Sequence, residues 1–299
     1  MREAKLTVGP VLFNWRPEVW RDFYFRLADE APVDTVHLGE VVCSKRQPFF
    51  APHLPEVMDR LTAAGKEVVL SSLALVMSER ERDAMRALAL DAGDLLVEAN
   101  DLAIAADLAG RPHMIGPFVN VYNEGTLGYL AGRGARRICL PAELPLETLT
   151  ILAAEDKAEI EVQSFGRLPL ALSARCYHAR SHNLHKDGCQ YVCGQDLDGM
   201  AVDTMDGLAF LTVNGTQTMS SRYANLLGEL GDLRKAGIHR FRLWPQSGDM
   251  VAVAGLFRRV LDGALDAKEA AGRLADLVPP DVEFANGYVH GREGHAFVA

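Results

Sequence analysis

The sequence lacks any uncharged apolar run approaching the roughly 20 residues that a membrane-crossing helix needs, so no transmembrane segment is expected. It lacks a long Lys/Arg tract, and its formal net charge is −9 over 299 residues. A sequence-independent grip on nucleic acid, which depends on neutralising phosphates, is therefore not expected. No Walker A pattern occurs. Gly132-Arg133-Gly134-Ala135-Arg136-Arg137, the nearest approach to a dinucleotide fingerprint, has no third glycine and precedes a strand-like run rather than a helix. The opening MREAKLTVGPVLFNW has too short an apolar part, and no small-residue cleavage site, to read as a secretory leader. Cysteine is scarce, with five in the chain. In the reducing cytoplasm, the compartment these absences suggest, five thiols point to metal or redox chemistry more than to disulfides.

What is present is a regular beat. Apolar strand-like runs lie at 6–13, 35–39, 67–72, 94–97, 114–120, 136–140, 159–164 and 239–244. Stretches with helical spacing separate them: 17–30, opened by Pro17; 54–64, closed by Gly65; about 78–92, where Ser78 and Glu81 form a capping box; 102–109; 124–133; and 146–154. Each strand–helix pair takes roughly 30 residues, and strict alternation of this length argues for a parallel sheet. The strand count predicts an α/β fold, a (β/α)8 TIM-barrel-like single domain over residues 1–299. An open doubly wound sheet is the rival. Residues 166–220 break the beat as an irregular, cysteine-rich insertion after strand seven, with one strand at 208–213 and a turn at Asn214-Gly215. A helix is expected over 221–236, another begins at 251–261, and 279–299 is expected to be an irregular C-terminal tail.

The insertion holds the densest chemistry in the chain. Arg175 to Gly194 contains Cys176, Cys189 and Cys193, the histidines His178, His182 and His185, and the cations Arg175, Arg180 and Lys186. No hydrophobic period runs through it, so it is not built to fill a core. Cys189 and Cys193, spaced C-x3-C, fit one turn or tight loop. The best fourth ligand is Cys43, which follows the second strand in Gly39-Glu40-Val41-Val42-Cys43-Ser44-Lys45-Arg46. A barrel would bring Cys43 and the distant triplet to one rim, at the C-terminal ends of the strands. Four thiolates from separate segments suit an iron–sulfur cluster or a structural zinc, and the histidines with Cys189 and Cys193 could instead complete a mixed zinc site. Cys139, between Ile138 and Leu140, reads as a core thiol. Local basic residues, Lys45 and Arg46 among them, would favour an anionic cluster or substrate. Glu40, Asn100 and Asn120 on the rim, with Arg175 and His178 from the insertion, are candidates for contacting substrate or supporting the ligands. Glu98, Asn100 and Asp101 read equally well as the cap of the next helix.

The stretch Gln163-Ser164-Phe165-Gly166 through Arg175-Cys176 resembles the signature of the collagenase-like peptidase family, a Gly and then a Ser a few residues before a Cys. The segments around Glu40 and Cys43, Phe118-Val119-Asn120-Val121-Tyr122-Asn123, and Phe210 to Ser220 resemble one branch of it, over about Leu6 to Trp244. That resemblance implies a 4Fe-4S cluster on Cys43, Cys176, Cys189 and Cys193, with Cys139 matching no ligand position. It implies a homologous partner subunit, joined as a heterodimer. The implied role is hydroxylation of a prenylated aromatic ubiquinone precursor without molecular oxygen, with prephenate as the oxygen source. Members assigned to peptidase activity have Glu where this chain has Gln163, and Met-Cys where it has Pro169-Leu170. No Ser-His-Asp or Cys-His arrangement dedicated to acyl transfer is evident, so the peptidase reading, like a zinc-stapled scaffold, stands as an alternative.

Overall fold

Eight of the apolar runs become parallel strands that close on themselves in the computed structural model, which describes residues 3–298. These are β1 (Lys5–Val8), β2 (Thr35–Leu38), β3 (Glu67–Ser71), β4 (Leu96–Ala99), β5 (His113–Ile115), β6 (Ala135–Cys139), β7 (Glu159–Leu172) and, after three further strands, β11 (Arg240–Leu243). Each pairs in parallel with the next, β11 pairs with β1, and β11 also pairs with β7, which closes the barrel. The expected (β/α)8 barrel is therefore the fold. Helices pack outside it. The helix Pro17–Glu30 starts on proline and buries Trp20, Tyr24, Leu27 and Ala28. The helix Glu79–Asp91 carries the expected capping box, with Ser78 accepting from Glu81 N. No helix among the described residues is long and apolar enough to cross a membrane.

The region 166–220 is more ordered than its sequence suggests. β7 runs on past the barrel to Leu172 and pairs antiparallel with β10 (Gln217–Asn225), which pairs with β9 (Ala209–Asn214), and β9 with β8 (Met200–Asp203). The β9–β10 hairpin turns at Gly215 and Thr216, one residue beyond the expected start. Gly215 has φ +67, and a Cβ there would stand 2.4 Å from Arg46 Nη2. The helix expected over 221–236 is strand as far as Asn225 and helix only over Leu230–Lys235. Pairing with β7 decides this, and local spacing does not report a partner more than 50 residues away. A further helix, Ala267–Ala275, precedes the tail, and the tail is less irregular than expected: β12 (Phe284–Ala285) pairs with β10, and a 3-10 turn spans Gly287–His290.

The barrel interior is charged. Arg242 is fully buried and reaches Glu98 Oε1 through Nη2 and Glu161 Oε2 through Nε (3.0 Å). His37 Nδ1 meets Ser71 Oγ at 3.1 Å, and that hydroxyl donates to Glu98 Oε2 at 2.7 Å. Burial alone would push the Glu98 and Glu161 carboxyls up, but Arg242 and His37 outweigh it and hold both below the ordinary range, Glu98 well below. Cys139 lies fully buried beside this cluster, and burial raises its thiol far above the usual value. It is a core thiol, as expected.

Candidate functional site

The site begins where β2 ends. Gly39 has φ +125, and a Cβ there would stand 2.4 Å from the Ser71 carbonyl, so the sharp exit from the strand needs glycine. The next residue, Glu40, is buried, and its Oε1 accepts from the backbone N–H groups of Val42 (2.7 Å) and Cys43 (2.8 Å). This folds the loop back on itself and fixes Cys43. Burial raises the Glu40 carboxyl, opposed by Arg46 and the two N–H groups. A 3-10 turn, Ser44–Arg46, follows. Arg46 is 1% exposed and donates to the Leu12 carbonyl (3.1 Å) and Asn214 Oδ1 (2.6 Å), with Cys193, Glu40 and Cys43 as its electrostatic partners. A buried cation is costly unless anionic partners compensate it, so this arginine favours thiolates nearby.

The other three cysteines come from the long excursion between β7 and β8. Cys176 caps the short helix Tyr177–Ser181, and its Sγ accepts from Ala179 N at 3.4 Å. Between Cys189 and Cys193, Gln190 and Tyr191 both adopt left-handed backbone, φ 50 and 54. For residues other than glycine this costs about 1–2 kcal/mol each, and such strain persists only where surrounding structure imposes it. Here the Tyr191 ring packs edge-on against Phe49 at 4.7 Å. The result turns Cys189 and Cys193 toward Cys43 and Cys176. All four line one cavity, together with Lys45, Arg46 and Lys186. Burial raises the thiols of Cys43 and Cys176, and Arg46 pulls both back.

The excursion is tied across the C-terminal rim of the barrel. Trp15 Nε1 donates to the Leu197 carbonyl at 2.8 Å, Ser247 N to Asp198 Oδ1 at 2.7 Å, and Lys45 Nζ to the Lys186 carbonyl at 2.8 Å. The hairpin holds it from the other side: Thr216 Oγ1 donates to Val42 O, Gln217 Nε2 to Leu12 O, and Asn214 Nδ2 approaches Cys193 O at 3.4 Å.

The rim thus gathers Cys43, Cys176, Cys189 and Cys193 at one cavity, with Glu40 behind Cys43. Other candidates lie elsewhere. Asn100 is buried in the barrel, bonded to Ser72 O and Glu98 Oε2 through Nδ2, while Asp101 alone caps the following helix. Asn120 and Arg175 are exposed and do not line the cavity. His178 is fully buried, and its ring faces Asp196 and His182 instead of the cysteines. Sequence reasoning singled out Arg46 only as part of a basic run. It missed Asn214 as that arginine's acceptor, and the Glu161–Arg242 pair inside the barrel. Their one signal is charge at alternate positions of apolar strands, Glu161 in Glu159 to Val162 and Arg242 in Arg240 to Leu243.

These features define a (β/α)8 barrel with a four-cysteine cavity on its C-terminal rim. The family model described as Peptidase family U32 matches residues 24–297, so the chain belongs to that family. Among solved structures, a chain of the tryptophan synthase complex from Pyrococcus furiosus is 11% identical, with TM-score 0.39, covering 92% of this chain and 99% of that one. The DAHP synthase from Thermotoga maritima is 12% identical, with TM-score 0.39, covering 92% of this chain and 69% of that one. At these values neither bears on what this chain does.

Proposed function

We propose that the rim cavity holds a 4Fe-4S cluster on Cys43, Cys176, Cys189 and Cys193. The chain would then be a UbiV-type subunit that works in the cytoplasm with the homologous UbiU as a heterodimer. Its task is hydroxylation of a prenylated aromatic ubiquinone precursor without molecular oxygen, with prephenate supplying the oxygen. The observation that carries the reading is the convergence of four thiols from separate segments on one cavity lined by three cations.

The chain's own groups fit an anionic, thiolate-bound cofactor. Ala179 N donates to Cys176 Sγ, Lys45 N to Cys43 Sγ, and Arg46 reaches Cys193. N–H donors to sulfur and nearby charge are the levers by which a protein sets a cluster's potential. With four protein thiolates no iron is left open, so the cluster supplies electron transfer rather than a substrate site. The family's name favours a peptidase instead, but that reading gives no role to the cysteine cavity. The test is genetic and chemical. Cells lacking this chain and grown without oxygen should accumulate the unhydroxylated precursor. The natural chain should restore ubiquinone, and the Cys176→Ala variant should not. Full restoration by Cys176→Ala would overturn the reading, and peptide hydrolysis surviving in that variant would favour the peptidase.

A further inference from the structure

Behind the cysteine cavity lies a second group of ligand-type side chains that the cluster does not use. His178 and His182 stand four residues apart on the turn that follows Cys176, and their rings stack at 5.8 Å with planes 7° apart. Asp196 comes from the chain just after Cys193. One ligand atom from each of the three lies within 4.8 Å of the others. His178 Nε2 stands 2.9 Å from Asp196 Oδ2. Two ligands bound at about 2.0–2.1 Å to one ion at tetrahedral or octahedral angles stand about 2.9–3.4 Å apart, so that pair is already set at a metal's spacing. His178 is fully buried, and hydrogen bonding to Asp196 and to the Val213 backbone holds its ring in place facing that carboxylate. Asp196 is steadied from behind, since its carbonyl lies 3.4 Å from Asn214 Nδ2.

We propose that His178, His182 and Asp196 bind one divalent transition-metal ion, zinc or ferrous iron, as a two-histidine, one-carboxylate site distinct from the cysteine cavity. Imidazole and carboxylate donors in this ratio select borderline ions of that kind and leave coordination positions free. His182 is exposed and Asp196 is 35% exposed at its side chain, so the ion enters from solvent and its free positions take water or an anionic oxygen ligand. The ion would fasten the helix after Cys176 to the chain after Cys193. Both ends of the cysteine-bearing excursion would then be held from outside the cavity.

The test uses the full chain, purified anaerobically and dialysed against cobalt(II) as the probe, with cobalt, iron and sulfide counted in each sample. The proposal expects one cobalt per chain, ligated by nitrogen and oxygen at the cobalt X-ray absorption edge. Affinity should fall by about tenfold or more in His182→Ala and Asp196→Asn. His182 is exposed, so its loss should leave the fold and the sulfide content unchanged. No retained cobalt, equal retention in both variants, or sulfur ligation of the cobalt would each overturn it. Sulfide content reports the cluster separately, so the two readings can fail independently.

Discussion

Two regions of this barrel concentrate chemistry, and they are built on opposite plans. Inside the barrel, Arg242, Glu98, Glu161, His37 and Ser71 bond mainly to one another. On the rim, four thiols line an open cavity and take their hydrogen bonds from Ala179 N, Lys45 N and Arg46, not from each other. A charge that meets its counter-charge inside the fold is committed to structure. A ligand held in place by backbone and cations, facing space, is committed to something that fills the space. Breaking the interior should therefore cost folding and leave the rim chemistry intact, and breaking the rim should do the reverse.

The largest effect on stability is expected from Arg242→Met. It strands Glu98 and Glu161 without their cation and should cost about 3–5 kcal/mol in urea denaturation. Adding Glu98→Gln and Glu161→Gln should recover much of that loss. Acid should reach the same cluster. Glu98 and Glu161 have folded pKa values below the unfolded one, so the unfolded state binds more protons as pH falls under the ordinary carboxyl range. Their stabilisation is fully present above that range and is lost below it, at up to about 1.4 kcal/mol per pH unit per carboxylate. Glutamine at Glu98 should flatten the slope of stability against pH.

The comparison sharpens at Gly215, which belongs to the rim. Gly215→Ala imposes a side chain on left-handed backbone against the buried tip of Arg46. It should cost about 1–2 kcal/mol and also lower bound iron, a coupling Arg242→Met should not show. The smallest stability effect belongs to the ligands. Cys176→Ala should change the metal-free protein's stability by about 1 kcal/mol or less, since its partly exposed thiol makes one long hydrogen bond, while abolishing cluster binding.

The barrel was legible because each of its strands is a local apolar run bounded by helical spacing, and Ser78 with Glu81 marks a helix start without reference to anything distant. The cysteines were legible because ligand chemistry resides in residue type, and barrel geometry then places Cys43 beside a triplet more than 130 residues away. What could not be read depends on pairing across the fold. Leu168 to Leu172 become strand because β10 lies beside them, and Ser221 to Asn225 follow for the same reason. His178 sits among polar neighbours in sequence, and only the path of the excursion buries it. Glu98 reads equally as a rim carboxylate, a helix cap or a core ion. Arg242, 144 residues later, decides among them.

The central claim is the cluster, and the visible spectrum tests it most directly. The protein and its five single cysteine-to-alanine variants would be purified anaerobically, with iron and sulfide counted alongside absorbance. The account predicts a broad band near about 400 nm, the region expected of thiolate-bound iron–sulfur, with four iron and four sulfide per chain. It should be lost in the variants of Cys43, Cys176, Cys189 and Cys193, and retained in Cys139→Ala. A colourless protein carrying one zinc on the same four cysteines would contradict it.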